Sequence, residues 1–375
     1  MTDAPSDNPD ATPPPDGSAL RRGWTTGACA TAATRAALQA VLTGHFPDPV
    51  TIRLPGGQTP AFALARQALL EPGRRAEAAI VKDAGDDPDV THGALVMARV
   101  TWREDETPQM RFAAGEGVGT VTLPGLPLAV GEPAINPAPR AMMRQAVEEL
   151  CGEQNRSGRI DIEIAIPGGE DLAARTMNGR LGIVGGLSVL GTTGIVIPYS
   201  CASWIHSIHR GIDVARALGL THLAAATGST SEGAARARLA LPDQAWIDMG
   251  DFAGGLLKYL RDHPVARLTL AGGFAKFAKL AAGDLDLHSA RSRLDHRDLA
   301  DMAGGLGADA DLQAAIAAAP SGGAVLELCR QAGIAIADRV ARRARETAMA
   351  TLGNGVAVEV LVFDRQGELV GRADG

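Results

Sequence analysis

Aromatic residues make up only 3% of this 375-residue chain. Its interior must therefore be packed from Ala, Leu, Val and Ile rather than from rings. Lysine is scarcer still: Lys82, Lys258, Lys276 and Lys279 are the only lysines among 36 Lys+Arg. A genome biased towards Arg, Ala and Gly codons would produce that skew. So would a demand for planar guanidinium forks against carboxylates or phosphate. The four cysteines, Cys29, Cys151, Cys201 and Cys329, lie far apart and form no C-x-x-C. Neither a zinc knuckle nor a disulfide scaffold is indicated, and a reducing, cytoplasmic setting is expected. Positive charge is not in excess: the net charge of -7 argues against a general nucleic-acid binder. The G-x-G-x-x-G fingerprint of dinucleotide binding is missing too.

What is present is globular: 46% hydrophobic and 21% charged residues, over a length at which two domains are the default. Forty-five glycines imply many close approaches of backbone to something else. Residues 1–20 hold five prolines and four aspartates with no apolar run, which reads as a disordered tail and not a signal peptide. The stretch Leu181–Ile205 carries no Asp, Glu, Lys or Arg and is long enough to span a membrane. Its five glycines, its Pro198 and its β-branched pairs favour a buried strand leading into a helix, so no membrane segment is expected.

After the tail, Gly23-Trp24-Thr25-Thr26-Gly27 leads into an Ala-rich run ending at Gly44, a helix capped by threonine and stopped by glycine. Short strands are expected at Val50–Leu54, Ala61–Leu70, Ala78–Val81, Ala94–Trp102, Gln109–Ala113 and Thr120–Leu123. A helix from Pro137 and Pro139 to about Cys151 precedes Ile160–Ile166, whose strict alternation predicts a half-buried strand. From about residue 200, a helical Ser200–Leu218 opens a different texture. Three strand–loop–helix units follow, with loops Thr227-Gly228-Ser229-Thr230, Asp248-Met249-Gly250-Asp251 and Ala271-Gly272-Gly273. Helices fill most of 297–350, and Ala357–Phe363 with Glu368–Val370 predicts a closing hairpin. The fold class is an α+β N-terminal domain, residues 21–197, followed by a smaller α/β domain with a parallel sheet, residues 198–375.

Ligands of open parallel sheets bind beyond the carboxyl ends of the strands, and all three glycine-bearing loops fall on that edge. The first exposes amides at a helix start, suited to a carboxylate or phosphate. Asp248 follows Gly228 by 20 residues, near the spacing at which an acid reaches a ribose hydroxyl. Ordinary strand-to-helix turns would look the same. The run Val81–Gly93 places Asp83, Asp86, Asp87 and Asp89 around Gly85 and Pro88 and ends at His92. Clustered carboxylates can hold a hard cation, but the calcium-hand spacing and its terminal Glu are absent. A base, a grip on substrate and a solvated turn are the other readings. Cys29 lies in the first turn of its helix, where the dipole would favour a thiolate, but a small buried packing residue is the favoured reading. His206 and His209 share a helix face without a carboxylate partner nearby in sequence and read as non-ligands. His288, Arg291 and Arg293 combine a titratable ring with two guanidinium groups.

Taken together, these segments resemble the cobalt-precorrin-5B C(1)-methyltransferase family, CbiD. The resemblance is carried by Gly23–Ala30 (GWTTGACA), Val81–Gly93 (VKDAGDDPDVTHG), Gly115–Pro139 (GEGVGTVTLPGLPLAVGEPAINPAP), Leu181–Val196 (LGIVGGLSVLGTTGIV), Thr227–Glu232 (TGSTSE) and His288–Asp295 (HSARSRLD), in the family's order. It implies methyl transfer from S-adenosylmethionine to ring carbon 1 of cobalt-precorrin-5B, giving cobalt-precorrin-6A. With it, the α/β domain is expected to hold S-adenosylmethionine through Thr227, Gly228, Ser229, Thr230, Asp248, Gly250, Gly272 and Gly273. The first domain is expected to hold the tetrapyrrole through Thr25, Thr26, Gly27, Asp86, Asp87, His92, Asn136 and Arg140, joined by Arg291 and Arg293. Asp83 and His288 are the candidate bases. Cobalt would arrive with the substrate, so no protein metal site is expected; whether the chain forms a homo-oligomer is left open. The chain departs from the family pattern at Ile197-Pro198-Tyr199-Ser200, where Glu-Pro-Met-Ser is expected, and at Gly179 and Asp251, where Pro and Asn are common. Two rival readings are a nicotinamide-dependent oxidoreductase, which the missing fingerprint disfavours, and a non-catalytic tetrapyrrole carrier.

Overall fold

The computed structural model describes residues 20–104, 107–353 and 355–374. The expected disordered tail lies outside the described residues apart from Leu20. The chain divides into two compact units, residues 1–200 and 201–375. The first is α+β and the second, smaller one is α/β with a mostly parallel sheet.

In the first unit, β1 (Gly23–Trp24) runs into α1 (Thr26–Thr43), where Thr25 caps the helix by accepting the Ala28 N–H at 3.2 Å. Gly44, at φ +83°, closes it and donates its N–H to Ala40. Then come β2 (Val50–Thr51), β3 (Ala61–Phe62), β4 (Arg66–Glu71), β5 (Arg75–Val81), β6 (Leu95–Arg103), β7 (Gln109–Ala114) and β8 (Thr120–Val121). The unit continues with α2 (Pro137–Glu153), β9 (Arg159–Ala165), α3 (Gly169–Ala173), β10 (Ile183–Val184) and β11 (Ile195–Val196). Its main sheet has the order β4-β5-β6-β9-β7, antiparallel except for the β9–β7 pair. Helix α1 lies against β5 and β6 and also against α2. A helix covered on two sides needs small apolar residues nearly all round, which is what its alanines supply. In β9 the expected alternation holds: Ile160, Ile162 and Ile164 are buried and their neighbours are half-exposed.

The charge-free stretch Leu181–Ile205 corrects one expectation. It forms only the two-residue strands β10 and β11, with the next helix starting at Cys201. Gly182, Gly185, Gly191 and Gly194 all adopt φ between +71° and +124°, and each such residue breaks a strand. Among the described residues, no helix is long and apolar enough to cross a membrane.

The second unit opens with α4 (Cys201–Ala217), β12 (His222–Ala226), α5 (Ser229–Arg236), β13 (Trp246–Asp248), α6 (Ala253–Asp262), β14 (Arg267–Gly273) and α7 (Phe274–Ala281). It ends with α8 (His296–Gly304), α9 (Ala310–Ala317), α10 (Gly322–Gln331), α11 (Ile336–Leu352), β15 (Ala357–Phe363) and β16 (Leu369–Ala373). The sheet order is β13-β12-β14-β15-β16, parallel through β15, with β16 antiparallel in the expected closing hairpin. Alternate residues face opposite sides. Ala224, Ala226, Trp246, Ala271, Leu361 and Phe363 pack with α5, while Leu223, Ile247, Leu270 and Val360 pack with α4, α6, α7 and α11. The chain leaves β12 by α5 on one face and leaves β13 and β14 by helices on the other. The order reverses at β12, so its carboxyl end is a topological switch point.

Candidate functional site

The parallel sheet aligns the three glycine-bearing loops. Ala226 is registered with Asp248 of β13 on one side and with Ala271 of β14 on the other. Thr227–Thr230, Asp248–Asp251 and Gly272–Gly273 therefore emerge side by side, with the Thr227 N–H donated to the Ala271 carbonyl at 3.0 Å. Helix α5 begins at Ser229 and presents the amides of its first turn at this edge, a natural seat for a carboxylate. The Asp248 carboxylate accepts the Gly250 N–H at 3.3 Å, and its carbonyl accepts the indole N–H of Trp204 at 3.2 Å.

The glycines of this edge differ in what they are for. Gly250 sits at φ +50°, and a Cβ on Gly272 would lie 2.7 Å from the Phe277 ring, so protein geometry demands both. A Cβ on Gly228 or Gly273 would meet no protein atom within 4 Å, and neither has a left-handed φ. The chain itself does not require glycine there. An approaching ligand would, and a group with one carboxylate and a ribose diol matches the amides and Asp248 beside them.

The segment after α7 packs onto the same edge. The Leu287 N–H donates to the Asp251 carbonyl at 2.8 Å and the Gly254 N–H to that of Leu285 at 2.8 Å. His288 accepts the Ala290 N–H on Nδ1 at 3.2 Å, so its neutral ring carries the hydrogen on Nε2 and can donate it. Arg291 pairs with Asp286 at 2.8 Å, reaches the Cys201 Sγ at 2.9 Å and lies over the Phe252 ring. Arg293 is exposed. The second unit thus brings together His288 and Arg291 with the expected cofactor residues. Sequence reasoning missed the ion pair between the Lys276 ammonium and the buried Asp251 carboxylate, and Lys279, whose buried ammonium donates to the Leu287 carbonyl at 2.9 Å. The rarity of lysine in an arginine-rich chain was the available signal.

The first unit gathers its own candidates, mostly into internal roles. Asp83 receives both guanidinium nitrogens of Arg21 and the Gly85 N–H at 2.9 Å, and the Arg21 hydrogen bonds pull its pKa down to about 2. A carboxylate held there is a weak proton acceptor. Asp86 accepts the Arg21 N–H and Asp87 the Tyr199 N–H at 2.8 Å, with burial pushing the Asp87 carboxyl up. His92 accepts the Ala84 N–H at 3.2 Å and stands 3.9 Å from Asp83. Beneath them, Lys82 is almost wholly buried and ion-paired with Asp89, which also accepts the Thr91 N–H and hydroxyl.

Two substrate expectations meet a physical obstacle in this unit. At Thr25, Thr26 and Gly27, the Gly27 N–H already donates to the Leu190 carbonyl at 2.8 Å and the Ala28 N–H to Thr25, so the helix start has little left for an anion. Asn136 precedes α2 as its cap residue without a side-chain capping bond, its N–H donated to the Val189 carbonyl at 3.1 Å. Arg140 spends its fork on its own loop: on the Ile135 and Pro133 carbonyls at 2.7 and 3.1 Å and on Glu132 at 2.8 Å. Cys29 is buried, and desolvation pushes its thiol up to about 12, the behaviour of a packing residue.

Comparison with known proteins agrees with these matched segments. The CbiD family model matches residues 14–198, and that of the CbiD C-terminal domain matches residues 286–374. The cobalt-precorrin-5B C(1)-methyltransferase of Paramagnetospirillum magneticum is 59% identical over 361 residues, 96% of this chain and 99% of its own length. The protein of the same name from Brucella anthropi is 57% identical over 354 residues, 94% of this chain and 95% of its own. A crystal structure of the cobalamin biosynthesis protein CbiD from Archaeoglobus fulgidus is 28% identical, with 73% of this chain and 84% of that one covered and a TM-score of 0.38. With family models spanning most of its length and relatives this similar from end to end, the chain belongs to the CbiD family.

Proposed function

We propose that this chain is a cobalt-precorrin-5B C(1)-methyltransferase, moving a methyl group from S-adenosylmethionine to ring carbon 1 of its tetrapyrrole and forming cobalt-precorrin-6A in cobalamin biosynthesis. The observation that carries the reading is the 59% identity to a protein of that name over 99% of that protein's length. In keeping with the absence of a membrane-crossing helix among the described residues, we place the reaction in the cytoplasm.

S-adenosylmethionine supplies a methyl group already activated on a sulfonium. What remains for the protein is alignment, so positioning dominates the rate effect. In the second unit, the first-turn amides of α5 with Thr227, Ser229 and Thr230 bind the donor's carboxylate, and Asp248 accepts its ribose hydroxyls. Gly228 and Gly273 leave room for the donor, and Gly250 and Gly272 shape the loops around it. His288 presents the N–H of Nε2 to the reacting groups, and Asp83 is poorly suited to taking up a proton while Arg21 holds it ionised. Arg291 and Arg293 meet substrate acetate or propionate groups. The first unit binds the macrocycle, with Asp86, Asp87 and His92 fixing the loop that faces it.

The test is isothermal titration with S-adenosylmethionine and S-adenosylhomocysteine. Micromolar binding that is lost in Asp248→Ala is the expected result. Binding that survives Asp248→Ala overturns the placement of the donor. No binding of either compound, with a tetrapyrrole present, overturns the methyltransferase reading in favour of a carrier.

A further inference from the structure

We propose that the Asp251–Lys276 ion pair is a positioning pair for the methyl-donor site, a role that rests on the second unit being the donor-binding one. Asp251 closes the loop that carries Asp248 and Gly250, and Lys276 lies in the first turn of α7, directly after Gly272 and Gly273. Strands β13 and β14 flank β12, so their carboxyl ends stand about 10 Å apart, two strand spacings. The Lys276–Asp251 ion pair joins the loop after β13 to the helix that follows β14, past the end of β12. Both α6 and α7, which carry the two loops onward, pack on the face opposite α5.

Asp251 is a node as well as a partner. Its carboxylate is only 7% exposed, its main-chain carbonyl accepts the Leu287 N–H at 2.8 Å, and Lys279, one turn further along α7, donates to the Leu287 carbonyl at 2.9 Å. The two lysines of α7 thereby sew the Asp248–Asp251 loop and the segment bearing His288 and Arg291 onto one helix. The sheet register aligns Asp248 and Ala271 on either side of Ala226, and this link ties together the loop residues that follow those strand ends.

The experiment is titration of the full-length protein with S-adenosylhomocysteine, with a thermal melt of each variant. The set is wild type, Asp248→Ala, Lys276→Arg, Lys276→Met and the double variant Asp251→Asn/Lys276→Met, which leaves no buried charge without its partner. The double variant is expected to melt close to wild type yet bind about ten-fold more weakly, and Lys276→Arg to bind more tightly than Lys276→Met because it restores the tether. Binding by the folded double variant equal to wild type overturns the positioning role; if Asp248→Ala still abolishes binding, the donor site itself stands. Failure of wild type to bind S-adenosylhomocysteine overturns the donor site and this inference with it.

Discussion

The Asp-rich loop of the first unit and the carboxyl edge of the parallel sheet in the second both set glycines and carboxylates beside a Lys–Asp pair. Their chemistry is opposite. In the loop, Asp83, Asp86 and Asp87 accept hydrogen bonds from Arg21, Gly85 and Tyr199, and Gly85 and the Gly23 that packs on it are demanded by packing. A Cβ on Gly23 would lie 2.0 Å from the carbonyl carbon of Ala84, and one on Gly85, at φ +70°, would lie 2.1 Å from the Arg21 oxygen. At the sheet edge, Gly228 and Gly273 answer to no protein atom. The more conspicuous cluster in the sequence is thus a clasp that holds the chain's first strand, and the plainer loops have the marks of a ligand site.

The largest effect that would test this contrast is at Lys82. Lys82→Met strands Asp89, three-quarters buried, without its cation, and breaking such a pair costs about 3–5 kcal/mol. A fall in the first thermal transition, with S-adenosylhomocysteine affinity unchanged, is expected. Lost affinity with an unchanged melt would make the loop part of the site and break the comparison. Next is Gly23→Ala, where the added methyl meets backbone that cannot swing aside. Overpacking of this kind costs about 1–3 kcal/mol, read from the denaturant midpoint, again without an effect on donor binding.

Much of the architecture was legible in residue order. The threonine-capped alanine helix, the alternation of β9 and the three strand–loop–helix units each rest on one local signal, and local signals survive folding. The stretch around residues 181–205 was misread because β-branched pairs favour strand, whereas glycines at positive φ, invisible in composition, cut it into turns. The edge loops were legible because the doubly wound topology places them. The engaged donors of Arg140 and of the Thr25–Gly27 helix start were not, because the first turn back on the Ile135 and Pro133 carbonyls of their own loop and the second meet Leu190, far away in sequence. Asp83 is a candidate base by resemblance, and the group that sets its protonation, Arg21, lies 62 positions away. Lys276 and Asp251, 25 residues apart, met the same barrier.

Gly273→Ala sharpens the contrast from the other side. The methyl group touches nothing in the protein, so the melt should not fall, yet S-adenosylhomocysteine should bind about ten-fold more weakly if the donor passes over that backbone. Unchanged affinity would show that the glycine is incidental and remove one mark of the site.

The smallest expected effect is electrostatic and lies at Asp83. Its folded-state pKa, about 2, is below the ordinary value of 3.8, so ionised Asp83 adds stability that is fully present above that value and is lost as pH falls through about 2. Wild type should therefore melt above Asp83→Asn by a constant margin from pH 5 upwards, with the two curves converging towards pH 2. Because Arg21 and Asp83 are each about half exposed, the margin should be small and should shrink as salt is added. The turnover rate of Asp83→Asn should show the wild-type pH dependence near neutrality, since a carboxylate with so low a pKa does not titrate there. A shifted profile near neutral pH would return Asp83 to the reacting groups and make the Asp-rich loop a second catalytic region.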